Sequence, residues 1–301
     1  MLLLFTMSGD GTSDKIVSEY GSENVFRFNF EMWKAYEVSY SPDYWSITNP
    51  VGHTITSESA TVAFWWKTFT AAPPLDKHTL AEIKYFLKDL YGWFISRGLA
   101  KGNAPDFHNK FGKLNILSFA KEYFAIPPTL FSIGLKPSVE LEGKKLITKS
   151  LASVLTEENN LLVTTAIPSI ESLDPEFPWL LQEEIDSDWD VTIFQCGERL
   201  FPFKRSRSEL KGLDWRTEQT FFYEKQEWFP LDLESDQEAN LLGLSSDLGI
   251  EFGRYDFMID KASGELVFLE LNATGQWVFL DIENKYGLLS HVVEWLRPGK
   301  G

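Results

Sequence analysis

The chain has 301 residues, 44% of them apolar and 24% charged, with a formal net charge of −16. Such a composition excludes a disordered or fibrous chain, and an acidic field repels phosphate backbones, which argues against nucleic acid as a partner. The one local group of cations is Lys204, Arg205 and Arg207, and the single cysteine, Cys196, cannot close an internal disulfide, as expected of a cytoplasmic protein.

In chain order, residues 1–5 read as a buried strand, too short and too poor in basic flanks for a signal peptide or a membrane span. The Gly-rich stretch 8–14 (SGDGTSD) that follows lacks the full phosphate-binding fingerprint, so a tight βα turn is the expectation. Residues 60–69 (ATVAFWWKTF) form a second strand before the Pro73-Pro74 stop. Helical spacing of Leu80, Ile83, Phe86, Leu87, Leu90 and Phe94 predicts a helix over 78–99, and another is expected over 110–124. The texture then turns to short β-branched and aromatic runs at 145–149, 161–166, 179–185 and 190–203. The last is expected to be a hairpin with a three-residue turn, Cys196-Gly197-Glu198. Ser235 and Glu238 have capping-box spacing for a helix that Gly249 ends.

The most informative stretch is 254–281 (RYDFMIDKASGELVFLELNATGQWVFLD). Strands at 254–259 and 265–272 flank a five-residue turn, and symmetry about Ser263 sets Asp256 opposite Glu270 and Arg254 opposite Asn272. Alternation then puts Arg254, Asp256, Met258, Phe268, Glu270 and Asn272 on one face, with Tyr255, Phe257, Ile259, Val267, Leu269 and Leu271 on the core face. Opposed carboxylates repel. A shared proton, Arg254 or a divalent cation must offset the repulsion, and the oxygen donors Asp256, Glu270 and Asn272 suit Mg²⁺.

Glu270-Leu271-Asn272, one hairpin after Asp256, resembles the metal-binding end of the ATP-grasp superfamily. Gly275-Gln276-Trp277 and Asp214-Trp215-Arg216 narrow the resemblance to the graspetide synthetases, the microviridin-type and grasp-with-spasm ligases that macrocyclise ribosomal peptides. The resemblance implies an α/β (α+β) ATP-grasp fold with an N-terminal βα lobe (1–112), a small central lobe (113–182) and a mixed-sheet C-terminal lobe (183–301). It implies ATP and Mg²⁺ as cofactors, with Asp256, Glu270 and Asn272 on the metal. Lys149 would meet the phosphates, and the earlier nucleotide lysine would be Lys113 or, equally, Lys110. Gln182, Glu183, Glu184 and Ile185 would form the adenine and ribose hinge, followed by Asp190. Arg216 and Arg254 would hold the substrate carboxylate, with Lys149 also serving catalysis. Read by themselves, Lys149 is equally an exposed strand lysine and Lys113 equally the solvated face of a helix.

Three departures from the family pattern stand out: Ala273 where proline is common, Thr192 where arginine is common, and cations at Lys204 and Arg205 where an acidic residue is common. The expected activity is ATP-dependent ligation within a precursor peptide, a leader joined to a core of Thr/Ser and Asp/Glu, with no membrane partner and room for a homo-oligomer. Trp215 and Trp277, each beside polar groups, fit an extended peptide. The competing readings are an ATP-grasp amino-acid ligase and a non-catalytic peptide-binding scaffold. Four histidines without zinc spacing and the absence of a G-x-S-x-G elbow leave metallohydrolase and serine-hydrolase chemistry without support.

Overall fold

A computed structural model describes residues 1–67, 76–103, 105, 107–134, 141–151, 164–208, 210, 212–213 and 227–299. The apolar first residues form β1 (Leu2–Thr6), and all five are buried. The loop after it ends at Asp10, whose carboxylate accepts from the Ser13 N–H at 2.9 Å and caps α1 (Gly11–Tyr20). The Gly-rich stretch is therefore a βα turn, and the helix claims its last four residues. The Ser13 N–H of its first turn is already held by a carboxylate.

β2 (Val25–Asn29) precedes an antiparallel flap of β3 (Glu37–Tyr40), β4 (Trp45–Thr48) and β5 (Thr54–Thr56). β6 (Val62–Trp65), α2 (Lys77–Ile95) and β7 (Ala100–Lys101) complete the lobe. Its main sheet is parallel throughout, in the order β2-β1-β6-β7. The strand expected over 60–69 is shorter, and 68–69 lie outside the described residues. Helix α2 buries Ile83, Leu87, Leu90 and Phe94, the stripe its periodicity predicted. After β7, Gly102 sits at φ +82°, and a Cβ there would come within 2.7 Å of the buried Phe64 ring. Gly102→Ala is therefore expected to cost about 2–3 kcal/mol, from a left-handed backbone and an overpacked core together, measured by denaturant unfolding.

Instead of one helix over 110–124 there are two, α3 (Phe107–Lys110) and α4 (Lys113–Ala120), because Gly112 between them is extended at φ −79° and ψ 166°. The central sheet contains β8 (Thr129–Ser132), β9 (Leu146–Lys149), β10 (Thr165–Ile167) and β11 (Trp179–Glu183), antiparallel in the order β10-β9-β11-β8. Its small core is Leu141, Leu146, Ile167 and Leu181.

The C-terminal part has β12 (Trp189–Cys196), β13 (Arg199–Ser206), β14 (Phe229–Pro230), α5 (Ser235–Leu248), β15 (Phe252–Ile259), β16 (Leu266–Asn272) and α6 (Leu288–Leu296). The sheet runs β14-β13-β12-β15-β16. Cys196 pairs with Arg199, so the β12–β13 turn has two residues rather than three, with Gly197 at φ +62°. The capping box is shifted by one residue: Glu234 is the N-cap, its N–H donating to the Gln237 side chain at 3.0 Å, and Gly249 closes the helix at φ +64° as expected.

One face of this sheet carries Val191, Ile193, Tyr255, Phe257 and Phe268 and packs with α4 and α5. On the other face Phe194, Phe252 and Trp277 join Leu4, Phe64 and Trp66 in a core shared with the N-terminal sheet. Packing fills only one end of this second face, and the candidate site occupies the rest. Among the described residues no helix is long and apolar enough to cross a membrane.

Candidate active site

The hairpin β15–β16 sets Arg254 opposite Asn272 and Asp256 opposite Glu270, as the sequence predicts. The symmetry stops there. A bulge after Asp256 pairs Phe257 with Phe268 and makes Leu269 the extra residue. Phe268 therefore lies on the core face, wholly buried, and Val267 pairs with Met258, reversing the expected placement of both. The bulge interrupts the ladder beside the two carboxylates and leaves their pairing intact.

Arg254 supplies one offset to the carboxylate repulsion. It is buried, and its Nη2 and Nε donate to Asp256 Oδ2 at 3.0 and 3.3 Å. Thr192, directly across from Asp256 on β12, donates its hydroxyl to Oδ1 at 2.8 Å. Where an arginine is common, threonine thus holds the carboxylate. Burial pushes the Asp256 carboxyl above the usual carboxylate range, Arg254 pulls it down, and Glu270 pushes it up again. Among the described residues no three His, Cys, Asp or Glu side chains converge. Two opposed carboxylates with an adjacent amide oxygen nonetheless suit Mg²⁺, which takes the rest of its shell from water and phosphate oxygens.

The Asn272 side chain accepts from the Thr274 N–H at 3.3 Å, and a Cβ on Gly275 would come within 3.0 Å of the Asn272 Cγ. Glycine is needed here to let the chain fold back over the amide. Asn103 clamps the same turn from the far lobe through the Phe252 carbonyl and, at 3.0 Å, the Ala273 carbonyl. Gln276 donates to Asp10 at 2.8 Å and accepts from Thr12, while its own carbonyl accepts from Arg254 at 3.0 Å.

Lys113 opens α4, donates to the Ser150 carbonyl at 2.8 Å and lies 3.8 Å from Glu270 Oε2. It joins the end of β9, which carries half-buried Lys149, to the carboxylate hairpin. Lys110 ends α3 and is exposed. Gln182 and Glu183 end β11. Gln182 is buried, donating to Thr129 at 2.8 Å, and the Glu183 carboxylate is held by Lys144 at 2.6 Å. Glu184 and Ile185 lie in the connection to β12, and the Ile185 N–H has no hydrogen bond among the described residues.

Asp190 accepts from Arg205 at 2.7 Å and Arg207 at 2.5 Å, all three side chains being largely buried. Two of the three cations of the local basic group therefore share one internal carboxylate, and Lys204 lies over the Trp189 ring. Trp277 is wholly buried and stacks on Phe194 with centroids 5.1 Å apart, so it lines no peptide groove, contrary to expectation. Asp214, Trp215 and Arg216 lie outside the described residues. Sequence reasoning missed Asp10 and Asn103, because their partners Gln276, Phe252 and Ala273 are more than a hundred positions away. A buried acidic N-cap at the end of the Gly-rich stretch was the one available signal for Asp10.

No protein-family model matches the chain, and no curated protein matches it. Solved structures do. The macrocyclase MdnC from Microcystis aeruginosa MRC, bound with precursor peptide MdnA, is 20% identical, with a TM-score of 0.79 over 98% of this chain and 99% of that one. A Chryseobacterium gregarium RiPP-associated ATP-grasp ligase, in complex with ADP and a leader and core peptide, is 19% identical, with a TM-score of 0.79 over 98% and 96%. The ATP-grasp ligase PsnB, complexed with a phosphomimetic variant of minimal precursor, Mg and ADP, is 13% identical, with a TM-score of 0.73 over 98% and 97%. With a parallel N-terminal sheet, a small antiparallel central sheet and a C-terminal sheet carrying the opposed carboxylates, the chain has the fold of these ATP-grasp ligases.

Proposed function

We propose that this protein is an ATP-dependent, Mg²⁺-dependent ligase that closes ester or amide links between side chains of a ribosomal precursor peptide. The observation that carries the reading is the Asp256–Glu270 pair, braced by Arg254 and Thr192 and tied through Lys113 to the strand of Lys149. Neighbours of the same fold, in complex with ADP, with Mg or with precursor peptides, support the cofactors and the partner.

Asp256, Glu270 and Asn272 would hold Mg²⁺, which when bound neutralises and aligns the triphosphate. Lys149 and Lys113 add positive charge along the same edge, and the Ile185 N–H with the Glu184 carboxylate suits the adenosine end. A peptide carboxylate oxygen attacks the γ-phosphorus and ADP departs. A Ser, Thr or Lys side chain then attacks the acyl carbon, loses its proton, and phosphate leaves. Each ring therefore costs one ATP and lowers the peptide mass by one water. Arg254 and Arg216 hold the carboxylate, since a guanidinium matches planar anions bidentately. We divide the chain into lobes 1–112, 113–182 and 183–301 and place it in the cytoplasm, where ATP is available.

Mass spectrometry of a candidate precursor peptide co-expressed with the enzyme tests the reading. Loss of one water per ring is expected, and a mass gain from an added amino acid would overturn it in favour of an amino-acid ligase. Arg216→Ala is expected to eliminate the dehydration while leader binding, read by fluorescence anisotropy, persists, because that arginine acts on the reacting group.

A further inference from the structure

Just past β7, the N-terminal sheet meets the start of β15 at two successive residues. The Gly102 N–H donates to the Glu251 carboxylate at 3.2 Å, and the Asn103 side chain follows. Its Nδ2 donates to the Phe252 carbonyl and, at 3.0 Å, to the Ala273 carbonyl. These two carbonyls lie on opposite arms of the carboxylate hairpin, just beyond its last paired residues, Arg254 and Asn272. A side chain from the N-terminal sheet thus takes the place of the next rung of the ladder. Asn103 is 8% exposed, and its own Oδ1 is buried without a donor among the described residues, so what the side chain holds it holds through Nδ2.

The other end of the same turn is tied to the same part of the molecule. Gln276 Nε2 donates to Asp10, the N-cap of α1, at 2.8 Å, and its Oε1 accepts from Thr12 in the first turn of that helix. Between these anchors the chain has little freedom. The Gly275 N–H donates to the Asn272 carbonyl at 3.1 Å, and the Thr274 N–H donates to Asn272 Oδ1 at 3.3 Å. On the opposite arm Gly253 has no room for a side chain, because a Cβ there would stand 3.1 Å from Leu271 and 3.4 Å from the Ala273 backbone. Where the Asn272 amide stands relative to Asp256 and Glu270 is therefore set in part by a residue 170 positions before Ala273.

We infer that Asn103 is a positioning residue for the cation: with Gln276 it holds the 272–276 turn so that the Asn272 amide joins Asp256 and Glu270 in a set that favours Mg²⁺ over the larger Ca²⁺. This rests on the ligase reading above and on its three metal ligands. Mg²⁺ demands a near-ideal octahedron at about 2.0–2.1 Å, whereas Ca²⁺ takes about six to eight oxygens in an adaptable shell. Releasing the turn at Ala273 lets the amide shift, which weakens the site most for the ion with the stricter geometry. Contacts that orient a ligand from behind carry about 10–100-fold in metal affinity.

Calorimetric titration of ADP into the full-length protein, with magnesium or calcium chloride, reads this without turnover. Asn103→Ala is expected to weaken ADP binding about tenfold with Mg²⁺ and to leave it nearly unchanged with Ca²⁺. Gln276→Ala, which frees the other end of the turn, should move the preference in the same direction, and it decides the matter if Asn103→Ala does not fold. Leu87→Ala, a deletion in the core under α2, lowers stability without touching the turn and should keep the wild-type preference. An unchanged preference in Asn103→Ala overturns the positioning role, as does an equal loss with both ions or the same shift in Leu87→Ala. In an enzyme that dehydrates peptide, any of these results leaves the ligase reading standing. An Asn103-dependent preference in a protein that dehydrates no peptide upholds the positioning role and overturns the ligase reading instead.

Discussion

Glu270→Gln is expected to abolish ATP-driven peptide modification, by about 10²–10³-fold or more, while the protein stays folded. Glu270 faces Asp256 across the hairpin, and its side chain is 27% exposed, enough to reach a bound cation. Replacing it by a neutral amide of the same shape removes half of the anionic charge that would hold Mg²⁺. Stability should move the other way. The Asp256 carboxyl is raised by burial first, with Glu270 adding to the rise and Arg254 opposing it. A carboxyl raised in the folded state binds its proton more tightly there than in the unfolded chain. Its contribution therefore favours folding at low pH and declines as pH rises from the usual carboxylate range to the raised value. Removing the Glu270 charge removes part of that penalty, so the Tm at neutral pH should equal or exceed that of the wild type. The partner it abandons, Lys113 at 3.8 Å, is a third exposed and contributes little. Mg-ATP turnover and thermal melts on the same samples check both halves. Wild-type turnover would remove the metal assignment, and a large drop in Tm would make Glu270 a structural residue.

Asp190→Asn is expected to be the most destabilising change among the candidate site residues, costing about 3–5 kcal/mol. Its carboxylate binds Arg205 and Arg207, and the side chains of the three are 11%, 6% and 13% exposed. An amide of equal size offers one acceptor where two guanidinium groups need a charge, and they cannot reach water without opening the sheet. Breaking a buried ion network from one side removes the charge that both guanidinium groups share, and the loss exceeds the worth of the intact network. Denaturant unfolding measures it. If Asp190 instead served only the nucleotide, as its family resemblance implied, Asn would weaken ATP binding and leave the unfolding midpoint unchanged. The structure makes Asp190 first a brace for β12 and β13, beside the Glu184–Ile185 connection where the adenosine end is expected.

The Asp256–Glu270 pairing was legible in the sequence because alternation along a strand and the length of a short turn are local properties, and both lie within one twenty-residue segment. The helix stripe on α2 and the glycine stop after α5 were legible for the same reason. Local rules failed where packing overrode them. The bulge at Leu269 swung Phe268 under Phe257 and α5, because burying a phenyl ring outweighs keeping a regular ladder. Trp277 looked like part of a peptide groove, yet it fills the core shared by the two larger sheets. Asp10 and Gln276, 266 positions apart, meet only because the N-terminal sheet packs on the far end of the C-terminal one. Thr192 reaches Asp256 only because β12, sixty-four positions earlier, pairs with β15. Residue types and their spacing sufficed to set the two carboxylates opposite each other. Which cations brace them, and which lobe supplies each, depended on non-local pairing, whose energy comes from surfaces that meet only in the folded chain.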